Sequence, residues 1–217
     1  MKKVVITGST GMVGSLLLQY CLLSKDVASI VALVRKPTPI KHEKYKELIV
    51  EDFLNYDKFI NEFKDTDIAF YCLGAYTGSL PAEAFRQVNV DFPLALAKSI
   101  QMTAPQATFC LLSGQGADRT EKSKMQFARD KGAIENALSS IGFKSFYTFR
   151  PGYIYPTMRR KEPNFFYTLF RWIYPIVKML GKNLSITDQQ LATTMFKVGM
   201  YGYPKEILEN KDMRQLG

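Results

Sequence analysis

The sequence is poor in histidine. Its single histidine, His42, lies in the polar stretch KHEKYK and is typical of a solvated loop. A Ser-His-Asp triad needs an imidazole beside its nucleophile, and catalytic zinc sites commonly take ligands from histidine. The sequence therefore argues against a serine-hydrolase triad and against a histidine-rich metal site, and we expect no bound metal.

Cysteine and long apolar runs are also scarce. The three cysteines, Cys21, Cys72 and Cys110, lie in apolar stretches, and their spacing fits neither a disulfide framework nor a metal-ligand motif. The apolar run after Met-Lys-Lys ends at Gly8, which is too short for a signal peptide, and no stretch is long enough to span a membrane. These features predict a cytoplasmic protein with reduced core cysteines.

The charge is unbalanced towards basic residues. The chain of 217 residues has a formal net charge of +9 and is 47% hydrophobic, which suits one domain with a full-sized core. A basic surface favours anionic partners such as phosphorylated cofactors, nucleic acid or anionic lipid. No recognition helix or aromatic RNA motif accompanies the charge, so we do not expect nucleic-acid binding.

Apolar strands alternate with helical patterns as far as Arg150. This alternation predicts an α/β fold with a doubly wound parallel sheet and helices on both faces. The predicted strands are Lys3–Thr7, Val27–Val34, Glu47–Val50, Ile68–Leu73, Ala107–Leu112 and Ser145–Phe149, and the predicted helices are 12–24, 56–63, 81–102 and 122–141. Beyond Arg150 the pattern changes. We expect one domain, 1–217, with a core of about 1–150 and a small helical extension, about 151–217, that lines a substrate pocket.

The first strand leads directly into TGSTGMVGSLLL, which has the spacing G-x-x-G-x-x-G. Gly8 would permit the tight turn, Gly11 the approach of a pyrophosphate, and Gly14 the close packing of the helix on the strand. The N–H groups and the positive dipole end of that helix suit phosphates. This context predicts dinucleotide binding, and the alternative is a turn that needs glycine for packing alone.

The end of the second strand indicates which dinucleotide is bound. An acid near this place would bind the ribose 2′-OH of NAD. The sequence instead reads VALVRKPTP, with Arg35 and Lys36 and no acid from Val31 to Pro39. A guanidinium can hold a 2′-phosphate, so NADP(H) is favoured over NAD(H), and the alternative is a solvated basic loop. Asp52, after the third strand, could bind the adenine amino group or cap the next helix.

Six stretches in one order resemble the atypical branch of the short-chain dehydrogenase/reductase superfamily, nearest to its Tat-interactive-protein-like and NAD(P)H-binding-like members. They are TGSTGMVG, CLG (72–74), VNVDFPLALA (88–97), LLSGQGA (111–117), Lys131 with its helix, and FRPGYIY (149–155). The resemblance covers most of the chain and implies an NAD(P)-binding Rossmann domain of oxidoreductase type. The glycine loop is shared by many families, whereas the ordered set is much more specific.

The resemblance also implies where the cofactor lies. Ser113 would sit beside the nicotinamide, Lys131 would bind the nicotinamide ribose, and the turn Pro151-Gly152 would lie by the carboxamide. The other implied contacts are Gly8, Ser9, Thr10, Gly11, Met12 and Val13 of the glycine loop, Arg35 and Lys36 at the 2′-phosphate, Asp52, Phe53, Leu73 and Gly74 around the adenosine, and Asn89 in the helix after strand four. Simpler interpretations stay open: Ser113 satisfying backbone groups at a strand end, and Lys131 as an exposed lysine paired with Glu135 at i+4.

One implied role is missing. The family acid is a tyrosine four residues before the lysine, on the same helix face, where the lysine can lower its pKa. This position is Phe127, which cannot donate a proton. Tyr76, Tyr153 and Tyr155, on loops expected at the same sheet edge, could substitute, although each also suits an aromatic wall of the pocket.

Three functions are therefore compatible with the sequence. The first is NADP(H)-dependent reduction of a hydrophobic carbonyl or quinone-like substrate, with the proton supplied by another group or by water. The second is dinucleotide sensing without turnover, and the third, disfavoured by the missing tyrosine, is sugar-nucleotide epimerisation. The aromatic segment 163–181 would form a wall of the pocket or, less simply, an interface with a membrane or a protein partner.

Overall fold

The computed structural model describes residues 1–75, 78–157 and 184–217. The strands are β1 Lys2–Thr7, β2 Val27–Val34, β3 Tyr45–Ile49, β4 Ile68–Tyr71, β5 Thr108–Leu112, β6 Ser145–Arg150, β7 Tyr153–Tyr155, β8 Ser185–Thr187 and β9 Ile207–Glu209. Seven of them form a parallel sheet in the order β3-β2-β1-β4-β5-β6-β9, and β7 and β8 pair in parallel with each other.

Helices connect the strands. In the described part of the chain they are α1 Met12–Leu23, α2 Ala82–Arg86, α3 Phe92–Thr103, α4 Gln126–Ser139, α5 Asp188–Tyr201 and α6 Asn210–Leu216. A 3-10 helix, Asp57–Phe63, follows β3, and a π-helical turn, Gln87–Asp91, joins α2 to α3.

Both faces of the sheet are covered. Successive side chains of β1 point to opposite faces, as a strand requires. Val4 and Ile6 join the core cluster that α1 and α5 cover, whereas Val5 joins the cluster that the 3-10 helix, α3 and α4 cover. All three valine and isoleucine side chains are fully buried. The predicted doubly wound parallel sheet is therefore confirmed.

The C-terminal part differs from the predicted helical extension. The helices α5 and α6 are present, but the short strand β9 adds to the main sheet by pairing with β6. In α5, Leu191 and Met195 are fully buried in the same core cluster as β1. A strand of three residues is too short to show a period in the sequence, which explains why β9 was not predicted. The predicted aromatic segment 163–181 lies outside the described residues.

The second sheet brings together the two sides of the segment 158–183. Tyr153 pairs with Ser185 and Tyr155 with Thr187. Beyond the strands, the Thr157 backbone N–H and hydroxyl donate to Asp188 Oδ1 at 3.1 and 2.8 Å. Thr157 and Asp188 are therefore fixed to each other. None of the helices in the described ranges is long and apolar enough to cross a membrane.

The packing of α5 can be tested with a pair of methionine substitutions. Met195→Ala should lower the free energy of unfolding by about 2–5 kcal/mol, because the side chain is fully buried against the sheet. Met102→Ala, at a methionine that is 75% exposed, should change it by less than about 0.5 kcal/mol. Urea unfolding of both variants measures this, and equal stabilities would contradict the core position of α5.

Candidate functional site

The predicted site loops meet at one edge of the sheet. Because the seven strands are parallel, the loops that follow β1 to β6 all leave at its carboxyl edge. The strand order reverses at β1, which lies between β2 and β4. Open α/β sheets bind their ligands outside such a switch point. The glycine loop follows β1 directly, so the topology puts it at the place where a ligand is expected.

The glycines of this loop are required by close contacts. Gly8 has a φ of +70°, and a Cβ there would lie 2.7 Å from the carbonyl of Cys72. A Cβ on Gly14 would lie 2.1 Å from the Gly8 carbonyl oxygen. Gly11 is exposed, and its N–H donates to the Gly8 oxygen at 2.8 Å. Packing thus explains Gly8 and Gly14, whereas Gly11 leaves the outer side of the loop open.

The N-terminus of α1 opens towards this loop. The helix begins at Met12, after Gly11 in an extended conformation, and no side chain caps it. The first N–H groups of a helix have no partner within the helix, and its dipole favours an anion there. Thr10 and Gly11 are exposed beside this end, while Ser9 and Val13 are buried beneath it. The arrangement can hold a pyrophosphate.

The residues predicted to contact the adenosine occupy different environments. Asp52 is exposed and accepts the N–H of Leu54 at 2.8 Å, which closes a turn. It does not cap the following 3-10 helix, which begins at Asp57. Phe53 is 6% exposed and packs against Phe92 with ring centroids 5.5 Å apart, so it belongs to the core. A surface hollow of about 330 Å³ opens beside the turn, lined by Glu51, Asp52, Asn55, Asp57 and Lys58.

Asn89 presents an unused acceptor near the loop that follows β4. It lies in the π-helical turn, is 1% exposed, and donates its side-chain N–H to the Phe85 oxygen at 2.9 Å. Its Oδ1 atom is buried without a hydrogen-bond partner in the described part of the chain. A Cβ on Gly74 would lie 3.7 Å from that oxygen. Since π-helical turns are frequent at functional sites, Asn89 supports a site at this edge.

Ser113 is bound to a buried carboxylate. Its hydroxyl donates to Glu135 Oε1 at 2.6 Å, and its backbone N–H donates to the Phe149 oxygen at 2.8 Å. A serine hydroxyl has one proton, so this proton is not available to another acceptor while the bond persists. The remaining lone pairs of Ser113 can accept a hydrogen bond from a ligand.

Glu135 is the centre of a charge network that sequence reasoning did not find. It is fully buried, and besides Ser113 it accepts from Thr148 and from the guanidinium groups of Arg119 and Arg150. Burial alone would raise the pKa of Glu135, but these hydrogen bonds and charges hold it below its usual value. The ion pairs form the alternating line Glu206–Arg119–Glu135–Arg150–Glu209.

Lys131 is buried rather than exposed. It is 5% exposed, and in the described ranges its Nζ atom has one hydrogen-bond partner, the Leu112 oxygen at 3.5 Å. Burial lowers the pKa of Lys131 to about 8, although the charges of Glu135 and Asp130 act in the opposite direction. The simple interpretation of Lys131 as a surface lysine paired with Glu135 is therefore wrong, because the arginines hold that carboxylate.

Phe127 points the end of its ring at Gly114. A Cβ added to Gly114 would lie 2.5 Å from Cζ and 3.4 and 3.5 Å from the two Cε atoms of Phe127. These three distances put the added atom on the long axis of the ring, ahead of Cζ. A tyrosine hydroxyl extends in the same direction, so at position 127 it would run into the backbone of residue 114.

The Pro151-Gly152 turn is held by other parts of the chain. The Gln115 N–H donates to the Pro151 oxygen at 2.9 Å, and the Gly152 N–H donates to Asn210 Oδ1 at 2.9 Å. The Gly152 N–H is thus already engaged and does not face a carboxamide freely. Tyr153 and Tyr155 are partly buried in β7, and Tyr76 lies outside the described residues. No group of three or more His, Cys, Asp or Glu side chains within the described ranges could hold a metal ion.

Comparisons with known proteins identify the family of the chain. Residues 4–184 match the NAD dependent epimerase/dehydratase family. The protein HTATIP2 of Rattus norvegicus is 27% identical over 164 residues, which cover 75% of this chain and 66% of the rat protein. The mitochondrial protein FMP52 of Coccidioides immitis is 30% identical over 172 residues, which cover 71% of this chain and 66% of that protein. The chain thus spans just under two thirds of the length of these two relatives.

Solved structures share the fold. A short-chain dehydrogenase/reductase from Saccharomyces cerevisiae superposes with a TM-score of 0.71 at 14% identity, covering 100% of this chain and 99% of that one. A short-chain dehydrogenase from Burkholderia cenocepacia in complex with NADP has a TM-score of 0.67 at 15% identity, covering 96% of this chain and 90% of that one. At such identities the likeness establishes the fold alone.

The predicted cytoplasmic location is wrong by these comparisons. Several fungal relatives, at 26% to 30% identity, are named as mitochondrial proteins. The prediction failed because reduced core cysteines indicate a reducing compartment but do not distinguish one such compartment from another.

The family match covers the elements that build the site. It runs from β1 and the glycine loop through Ser113 and Lys131 to the residue before β8. The doubly wound sheet and the relatives lead to the same assignment. The chain therefore belongs to the NAD dependent epimerase/dehydratase family, as an NAD(P)-binding atypical member of the short-chain dehydrogenase/reductase superfamily.

Proposed function

We propose that this protein binds NADP(H) in preference to NAD(H) and responds to the bound dinucleotide without reducing a carbonyl by the tyrosine-dependent route. The observation that carries the proposal is the ring of Phe127, which lies end-on against Gly114 where a catalytic hydroxyl is expected. The protein then has the fold of an oxidoreductase and acts as a binding protein that responds to the dinucleotide. Residues 1–217 act as one domain.

The cofactor part of the proposal rests on the carboxyl edge of the sheet. The uncapped N-terminus of α1 supports pyrophosphate binding by the glycine loop. Arg35 and Lys36 are both exposed and follow β2, whose Leu33 pairs with Thr7 just before the glycine loop. Two cations next to that loop suit a 2′-phosphate. We assign the remaining contacts, from Asp52, Leu73–Gly74, Asn89, Ser113 and Lys131, to the adenosine and the nicotinamide riboside.

The absence of tyrosine-dependent chemistry rests on two side chains. Phe127 has no proton to give. Ser113 has one, but it is donated to Glu135 at 2.6 Å. Neither residue can therefore protonate the oxygen that develops when hydride adds to a carbonyl. Epimerisation through the same tyrosine loses support for the same reason.

A second function is supported by Lys131. Burial lowers the pKa of its ammonium group to about 8. In the described part of the chain this group has one hydrogen-bond partner, the Leu112 oxygen at 3.5 Å. A hydride from NADPH could pass to a hydrophobic quinone-like acceptor, with the balancing proton leaving Lys131 and returning from water. This reaction would use the same bound dinucleotide and would need no tyrosine.

The cofactor preference is tested by removing the two cations. Arg35→Ala with Lys36→Ala should weaken NADPH binding about 10- to 100-fold, since a charge-assisted contact to the 2′-phosphate is lost, and should leave NADH binding nearly unchanged. Lys25→Ala is the matched control, because Lys25 is exposed at the opposite edge of the sheet. Titration calorimetry measures each affinity. Equal binding of NADPH and NADH by the unaltered protein would rule out the preference.

The absence of tyrosine-dependent reduction is tested by Phe127→Tyr. Because the hydroxyl would meet the backbone of Gly114, this variant should gain no carbonyl reductase activity and should unfold at a lower temperature than the unaltered protein. NADPH oxidation is followed with a panel of hydrophobic aldehydes and ketones, alongside thermal unfolding. A large gain of reductase activity at unchanged stability would show that the tyrosine hydroxyl is the only catalytic group that the site lacks.

The quinone-type reaction has a distinct pH signature. If Lys131 supplies the proton, turnover is highest with the ammonium form and falls as pH rises through about 8. Lys131→Arg, whose guanidinium keeps its proton, should lower the rate and remove this fall while keeping a cation at the ribose. The rate of NADPH oxidation by a hydrophobic quinone is measured from pH 6 to 10, and a rate that rises through about pH 8 would exclude Lys131 as the acid.

A further inference from the structure

We propose that Glu47 determines the preference for NADP(H). It fixes the basic loop 35–38 and so positions Arg35 and Lys36 to bind the 2′-phosphate. The inference rests on the proposed NADP(H) binding and deepens it. Glu47 touches no cofactor in this proposal and is a positioning residue.

The Glu47 carboxylate accepts hydrogen bonds from three donors. Oε2 accepts the backbone N–H of Thr38 at 3.1 Å, and Oε1 accepts the hydroxyl of Thr38 and, at 2.8 Å, that of Tyr45. Glu47 lies on β3, opposite Ala32 of β2. The strand next to β2 therefore reaches across and holds the chain that leaves β2.

These bonds fix the far end of the basic loop. Val34, the last residue of β2, is buried in the core at the near end. At the far end Thr38 is bound twice by Glu47, and its hydroxyl also accepts the N–H of Ile40 at 3.3 Å. Arg35 and Lys36, exposed between these fixed points, have less backbone freedom to lose on binding an anion.

The same hydrogen bonds occupy the Glu47 carboxylate, so that in this proposal it does not bind the ribose. In NAD-specific sites of this topology a carboxylate accepts the ribose hydroxyls. Glu47 is engaged by Thr38 and Tyr45 instead. Burial raises the pKa of Glu47, but the hydrogen bonds from Thr38 and Tyr45 outweigh burial and lower the pKa below its usual value. The Glu47 carboxylate thus holds the basic loop through Thr38.

Tyr45 connects this anchor to the glycine loop. Its hydroxyl donates to Glu47, and its side chain lies beside Ser9. Tyr45 also packs against the core cluster that α1 covers. Tyr45 therefore lies between the anchor of the basic loop and the loop that would carry the pyrophosphate.

The test compares NADPH and NADH affinities by titration calorimetry. Glu47→Ala should lower the NADPH affinity about tenfold and leave the NADH affinity within about twofold, because the anchor is lost and the glycine loop is kept. Thr38→Val should act in the same direction, and Thr38→Ser, which keeps the hydroxyl, should restore the unaltered ratio. NADH binding reports that each variant is folded.

A double-mutant cycle separates positioning from a general structural role. If Glu47 acts through the two cations, Glu47→Ala should have almost no effect on the NADPH affinity in the Arg35→Ala, Lys36→Ala background. An equal loss of NADPH and NADH affinity, or an unchanged ratio in Glu47→Ala, would overturn the inference while the proposed function stands. Equal binding of both dinucleotides by the unaltered protein would overturn the proposed preference and this inference together.

Discussion

The site depends on one buried carboxylate. Glu135 lies in α4, the helix that also carries Phe127 and Lys131, and its donors come from β6 and from the loop between β5 and α4. An ion this deep is tolerated only when its lone pairs are filled, and removing one partner leaves an uncompensated charge. The bonds to Ser113 and Arg150 therefore fix where α4 sits against the strand ends, and through α4 they fix Phe127 and Lys131.

Phe127 and Gly114 form a matched pair. The ring fills the space that a side chain at position 114 would need, and the missing side chain lets the ring approach the backbone. The packing around residue 127 thus fits a ring without a hydroxyl, and restoring the hydroxyl alone would not rebuild a catalytic centre. In the proposed function, this pair and the hydrogen bond that Ser113 donates to Glu135 leave Lys131 as the remaining proton donor of the site.

Sequence reasoning succeeded where the signal is local. The strands β1 to β6 and the strand–glycine loop–helix unit follow from short patterns, and the parallel topology then brings the ends of these strands to one edge. It failed where partners are distant along the chain. The hydrogen bonds that hold Glu135 come from Arg119 and Arg150, 16 and 15 residues away along the chain. The sequence pattern did not indicate Glu47, because an acid that governs the cofactor is expected directly after β2, whereas Glu47 lies on the neighbouring strand β3.

The bond between Thr157 and Asp188 bears on the length of chain between them. It joins residues that flank the segment 158–183, next to the paired strands β7 and β8. The entropy of closing a loop between fixed ends grows only slowly with its length. The number of residues between Thr157 and Asp188 can therefore change at a small entropic cost while the ends that these bonds hold stay in place.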